Sequence, residues 1–314
     1  MLLVSTYELG HQPLHVAAPA AVLRLRGHEV RVLDLAVEPW DPDAASWAER
    51  IACSVPMHTA TRLAIEAAHA AREANPTVPV CFYGLYAEMG RGIANQTIAG
   101  EYESALVAWV EGDGSGEPVL DLGRPTAAPS ALPARDLLPR LDSYVQLIGA
   151  GDSRAVAYVE ASRGCAHRCR HCPVPVVYDG RTRVVTEDVV MADVEQQVRA
   201  GARHVSFGDP DFMNRPHHAR RVVAALHDAF PEVTFDCTVK VEHVLRYDDV
   251  WSELAGRGCL FVVSAFETTD AATLVRLDKG HTAADMSAAV ALLRAHGIEV
   301  RREVGVVEQQ RALG

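Results

Sequence analysis

Short apolar runs alternate with helix-forming stretches along nearly the whole chain, and this alternation limits the fold more than any other feature. Residues 2–6, 30–35, 51–55 and 80–83 read as short buried strands, with 105–110 as a fifth. Between them lie two helical stretches. Residues 16–26 hold Pro19 near the first turn and end at Gly27, and residues 59–75 are rich in alanine. The pattern then repeats. Strands are expected at 155–160, 204–208, 234–240, 259–266 and 298–307, with helices at 187–200, 215–230, 247–256 and 283–296. Apolar strands separated by helices imply parallel sheets covered on both faces, and so an α/β fold. The second series has the spacing of repeated βαβ units and suits a partial β/α barrel of about five units.

The two series are separated by residues 112–133, rich in Gly, Pro, Ser and Ala, which read as a linker. Residues 136–148 read as a lead-in that packs on the second domain. The expected division is therefore 1–111, a linker and lead-in over 112–150, and a second domain over 151–314. A length of 314 residues agrees with two domains. The net charge of −11 argues against non-specific nucleic-acid binding and against an anionic membrane surface, since both need a basic face. The chain does not open on a charged segment followed by an apolar one, and no apolar run approaches a membrane span, so a cytoplasmic location is expected.

Seven cysteines are unevenly placed. Cys53, Cys81, Cys237 and Cys259 each stand alone in an apolar stretch and read as small buried hydrophobes. Cys165, Cys169 and Cys172 fall together, directly after the first strand of the second series. Loops after strands form the active face of β/α barrels. In a cytosolic chain such a group suggests a metal or cluster site before disulfides. Three thiolates on one loop can hold three irons of a cubane cluster, leaving a fourth iron for an exogenous ligand. Zinc is the competing reading, with His167 or His171 as fourth ligand, but one short loop closes a tetrahedron awkwardly and no second Cys pair follows. Only two of the 30 basic residues are lysines, Lys240 and Lys279, and both lie after strands of this second series.

Cys165-xxx-Cys169-xx-Cys172 resembles the CxxxCxxC signature of radical SAM enzymes, and the resemblance extends over most of residues 150–300. It implies a [4Fe–4S] cluster on the three cysteines and S-adenosylmethionine (SAM) bound to the remaining iron. It also implies reductive cleavage of SAM to start radical chemistry on a small-molecule substrate, with flavodoxin or ferredoxin as electron donor. The residue before the last cysteine, His171, then contacts the adenine. The segment Gly208-Asp209-Pro210 occupies the place of the family's Gly-Glu-type motif, with Asp209 as acceptor for the SAM ammonium. Lys240, with Glu242 and His243, stands at the third strand end, where it can bind the SAM carboxylate or substrate. Ser264 and Glu267 match the family's fourth-strand segment and reach the ribose or methionine end. Lys279-Gly280-His281-Thr282 matches a downstream KGHT segment.

Residues 1–111 resemble the Rossmann-like cobalamin-binding domain that precedes the core in many relatives. Within the family the chain is similar to a subgroup with a CUAEP or CCAEP tail. The DxHxxG motif that would supply a cobalt ligand is absent, and His11 stands in a GHQP context, so cobalamin is left open. The tail is absent, five core strands are counted where six are usual, and the chain is expected to be truncated. Two alternatives stay open: transfer of the 3-amino-3-carboxypropyl group of SAM, and a non-catalytic SAM- or cobalamin-type binding protein. A role on tRNA is disfavoured by the acidic charge.

Overall fold

The computed structural model describes residues 1–112, 118–121, 131–149 and 153–303. Two compact units emerge, 1–158 with 199–201 and 159–198 with 202–314. The boundary thus falls later than the linker composition suggests, and residues 131–149 belong to the first unit. Parts of the expected linker, and the chain end from 304 on, lie outside the described residues.

The first unit is a six-stranded parallel sheet. Its strands are β1 (Leu2–Ser5), β2 (Arg31–Asp34), β3 (Ile51–Ser54), β4 (Val80–Tyr83), β5 (Gln96–Gly100) and β6 (Val119–Asp121), in the order β2-β1-β3-β4-β5-β6. Four helices belong to it: α1 (Leu14–Leu25), α2 (Pro42–Trp47), α3 (His58–Ala74) and α4 (Glu103–Glu111). The expected strand at 105–110 is a correction: these residues form α4. Leu106 and Trp109 are buried three positions apart, the spacing of a helix face rather than of a strand. The fifth strand is instead Gln96–Gly100, whose buried Gln96 and Thr97 hide it from a search for apolar runs.

Helix α1 starts at Leu14, which places Pro19 inside the helix rather than at its first turn. Proline has no N–H for the carbonyl four residues back, that of His15. The Tyr83 hydroxyl, at the end of β4, donates to that carbonyl at 2.9 Å. The sheet thus supplies the bond the helix lacks.

The second unit contains β9 (Ser162–Gly164), β10 (Thr182–Val184), β11 (Ala202–Phe207), β12 (Thr234–Thr238), β13 (Cys259–Ala265) and β14 (Glu299–Glu303). Strands β11 to β14 pair in parallel. The sheet order is β14-β13-β12-β11-β8-β7, where β8 is Ser153–Val159 and β7 (Gln146–Ile148) is an antiparallel edge. The five strands expected for the core are all present, and the sheet is that of a partial β/α barrel. Helices α5 (Pro173–Tyr178), α6 (Glu187–Arg199), α7 (Pro216–Ala229), α8 (Val241–Arg246), α9 (Val250–Gly256), α10 (Ala271–Leu277) and α11 (Ala283–Ala295) complete the chain. Val205, Phe207, Phe235 and Cys237 are fully or almost fully buried on one face of β11 and β12. The opposite face carries His204, Ser206, Thr234 and Asp236, and Asp236 Oδ1 accepts from both His204 and Ser206. No described helix is long and apolar enough to cross a membrane.

Candidate functional site

The three clustered cysteines lie on a loop whose base is closed by a small ribbon. Strand β9 pairs antiparallel with β10, so residues 165–181 leave and return at neighbouring points. Gly164, the last residue of β9, has φ +74°, and a Cβ there would lie 2.3 Å from the Arg181 carbonyl. Only glycine lets the two limbs approach so closely. Cys165 and Cys169 are buried, while Cys172 is partly exposed and sits at the start of α5. Burial pushes the Cys165 and Cys172 thiols up. Hydrogen bonds from the Asn214 side chain and the His167 backbone oppose this at Cys165, and the Val174 backbone and the Lys279 charge oppose it at Cys172.

The donor set fits an iron–sulfur cluster. A single zinc with bonds of about 2.3 Å holds its sulfurs about 4 Å apart. Among the described residues, the metal-binding side chains whose ligand atoms all lie within 4.8 Å of one another are His167, Asp211 and His243, not the three cysteines. The three thiols do not all lie within that distance of one another, unlike the ligands of a single tetrahedral ion.

Asp211 anchors the first half of this loop. It caps the 3-10 turn Phe212–Asn214 by accepting the Met213 N–H with Oδ1. Its Oδ2 lies 3.0 Å from His167 Nε2 and 2.8 Å from His243 Nδ1. A carboxylate only accepts, so His167 Nε2 carries the proton of its hydrogen bond, whereas the His243 Nδ1 pair is a close contact without hydrogen-bond geometry. His167 Nδ1 is then an acceptor, and Lys240 Nζ lies 3.2 Å from it. This polarity argues against a metal ion on the three residues, because an imidazole ligated through Nε2 would turn an Nδ1 proton toward an ammonium. Burial pushes Asp211 up, but the two imidazoles more than reverse it and hold it below the usual carboxylate range.

Glu267 anchors the second half. Its Oε1 lies 3.1 Å from Lys279 Nζ and 3.0 Å from His171 Nε2. Against the upward push of burial, His171 and Lys279 hold it down to about 2. Its φ of +62° is a left-handed conformation that a non-glycine residue adopts at a cost of about 1–3 kcal/mol. Burial and the charges of Lys279 and Lys240 bring His281 down to about 4. Both of its ring nitrogens are buried without a well-formed hydrogen bond, and so is the Ser264 hydroxyl at the end of β13. Both lysines of the chain thus act on one buried imidazole beside the cysteine loop.

A family model matches the second half of the chain: residues 159–307 fit the radical SAM superfamily. Residues 159–307 are a radical SAM domain. It is 25% identical over 222 residues to the hopanoid C-3 methylase of Methylococcus capsulatus, covering 59% of this chain and 40% of that protein. The chain therefore spans about two fifths of that curated relative. Among solved structures it is similar to the radical SAM methyltransferase TsrM of Kitasatospora setae, with tryptophan and a SAM analogue bound. The TM-score is 0.70 at 19% identity, over 96% of this chain and 67% of that one. It is also similar to the cobalamin-dependent radical SAM enzyme OxsB, at 0.70 and 15%, over 96% and 48%. At these identities the structures show the fold.

Within this unit the structure shows where each expected residue stands. Cys165, Cys169, Cys172, His171, Lys240, Ser264 and Glu267 all stand on the cysteine loop or at strand ends. Asp209 is placed differently. Its Oδ2 accepts the Ala161 N–H at 2.9 Å and its Oδ1 the Ser162 hydroxyl at 2.5 Å, so each oxygen holds a partner inside the protein. It ties the end of β11 to the residues entering β9. Gly208 donates its N–H to the Val159 carbonyl at 2.8 Å, and Pro210 is exposed. Asp211, two residues on, was not singled out by its sequence, yet it is the hub of the histidine cluster. Its sequence signal is Asp-x-x-Asn after a strand, the pattern of a capped turn. Asn214 was equally hidden, since nothing local links it to residue 165.

Proposed function

We propose that this chain is a radical SAM enzyme that cleaves SAM reductively, with a [4Fe–4S] cluster on Cys165, Cys169 and Cys172, to initiate radical chemistry on a small molecule. The observation that carries this reading is the glycine-closed loop of three wide-set thiols at a strand end. When bound, the cluster supplies the electron that breaks a carbon–sulfur bond of SAM. The chain's own residues do the rest. Lys240 offers positive charge to the SAM carboxylate, and the unspent hydroxyl of Ser264 and the imidazole of His281 offer polar contacts beside it. His171, held by Glu267, would contact the adenine. Asp209 acts as a positioning residue for the loop's base rather than as the acceptor for the SAM ammonium. A cytoplasmic location and electron supply from flavodoxin or ferredoxin complete the reading.

Neighbouring structures were solved with cobalamin bound. In this chain the imidazole of the loop after β1, His11, stacks on Tyr158 with ring centroids 4.7 Å apart. That contact packs the ring within the first unit. Chromatography of the products formed from SAM by the reconstituted protein under strong reductant tests the proposal. 5′-Deoxyadenosine is expected. Methylthioadenosine would move the activity to carboxypropyl transfer, and uncleaved SAM would refute catalysis.

A further inference from the structure

One face of the second sheet is not a packed apolar core. Val205, Phe235, Cys237 and Val262 on one side are fully buried, while Ser206, Thr234, Thr238 and Val263 on the other stay half-buried, although all lie in central strands. Helices cover the outside of a β/α barrel, so the more open, polar face is its interior. The pairing of β12 with β13 skips a residue here. Phe235 faces Cys259, but Asp236 faces Phe261, and Leu260 is left over. Such a bulge re-aims side chains and is common beside functional sites. It sets Phe261 next to Asp236 on the inner face. The His204 ring stacks on the Phe261 ring with centroids 5.7 Å apart, and the guanidinium carbon of Arg301, on β14, lies 3.6 Å from the centre of the same ring.

Asp236 is almost fully buried, and both of its hydrogen bonds arrive at Oδ1, from His204 Nε2 at 2.8 Å and from the Ser206 hydroxyl at 2.5 Å. Its Oδ2 accepts nothing from the described residues. A carboxylate has acceptor positions on both oxygens, so one side of Asp236 is left for a ligand. Among the described residues Arg301 has no carboxylate partner. A guanidinium stacked on a ring keeps its in-plane N–H groups free to grip a carboxylate.

We propose that this inner face binds the substrate, and that the substrate is a small molecule of the amino-acid class, cationic at one end and anionic at the other. Its ammonium pairs with Asp236 Oδ2, its carboxylate with Arg301, and the apolar stretch between them packs on Phe261. His204 and Ser206 are positioning residues that hold Asp236. That the ligand is the substrate rests on the radical SAM reading above, whereas its binding does not.

The test is titration calorimetry of the anaerobically reconstituted full chain, with SAM and without reductant. The probes are 6-aminohexanoate, which carries both charges, and hexylamine and hexanoate, which carry one each. 6-Aminohexanoate should bind about tenfold or more tighter than either. Asp236→Asn keeps the shape and an acceptor for His204 and Ser206. It should weaken 6-aminohexanoate and hexylamine by about tenfold and leave hexanoate unchanged. Arg301→Gln should weaken 6-aminohexanoate and hexanoate and leave hexylamine unchanged. No measurable binding of 6-aminohexanoate, equal affinity for the probes, or the same loss for every probe in both variants would overturn the proposal. No SAM is cleaved in this measurement, so uncleaved SAM after reductant is added would instead refute the radical reading.

Discussion

The two units treat the same side chain in opposite ways. In the first, Cys53 and Cys81 lie inside central strands, fully buried. Burial pushes the Cys53 thiol up to about 12 and Cys81 well above its ordinary value, so both stay protonated. In the second, the clustered thiols lie beyond the strands on a loop. Burial raises Cys165 and Cys172 too, but an amide, backbone N–H groups and a lysine pull against it. Cys237 and Cys259 show that the unit does not decide the matter. Both are strand residues of the second unit, and Cys237 is raised well above its ordinary value by its contact with Cys259 and by burial. A cysteine within a strand is packing, whereas the three past the strand end lie among donors and cations.

The largest effect separates these two kinds of cysteine. Alanine at Cys165, Cys169 or Cys172 should abolish cluster assembly, because a three-ligand site cannot spare a thiolate. Alanine at Cys53 or Cys81 should leave iron content alone and cost about 1 kcal/mol of packing, read by chemical denaturation. Full iron and absorbance in a triplet variant would break the comparison.

Next in size is Asp211→Ala. It leaves the His167 N–H without its acceptor, at about 1–3 kcal/mol, and removes the carboxylate beside His243. It also frees His167, which lies between two cysteines. Iron retained after gel filtration should fall, whereas Asp211→Asn, which keeps one acceptor, should lose less. Unchanged iron retention in Asp211→Ala would return the turn to a passive role.

Asp209 sharpens the contrast with its neighbour two residues away. Both carboxylates are buried, but burial raises Asp209 to about 7 while the histidines lower Asp211. Between pH 4 and 7 the folded state holds the Asp209 proton that the unfolded state has released. Stability from this group is therefore fully present near pH 4 and falls as pH rises toward 7, by at most about 1.4 kcal/mol per pH unit. Asp209→Asn should flatten that slope in thermal unfolding measured across this range. A slope identical to wild type would contradict the assignment.

The fold was largely legible because parallel strands buried on both faces leave apolar runs that local composition reveals. It failed where burial did not mean apolar, as at Gln96–Gly100, and where a short helix carried strand-like residues, as in α4. The β9–β10 ribbon went unseen because three-residue strands carry no periodicity. The cysteines were legible because their spacing is local. Asp211 and Asn214 were not, because their partners lie more than forty residues earlier, at His167 and Ala166, and only the sheet brings them together.

The smallest effect lies in the first unit, away from any ligand chemistry. Tyr83→Phe removes the hydroxyl that serves the His15 carbonyl opposite Pro19. It should cost about 1 kcal/mol, read in denaturant, with iron content unchanged. A Pro19→Ala background, which restores the helix's own N–H, should make the Tyr83→Phe loss smaller.

The central claim is that the loop of Cys165, Cys169 and Cys172 holds an iron–sulfur cluster. Its most direct test is a metal and sulfide analysis of the anaerobically reconstituted chain. About four irons and four sulfides per chain, lost on replacing any one of the three cysteines, is the predicted result. Stoichiometric zinc without iron, or iron that survives the cysteine replacements, would contradict it.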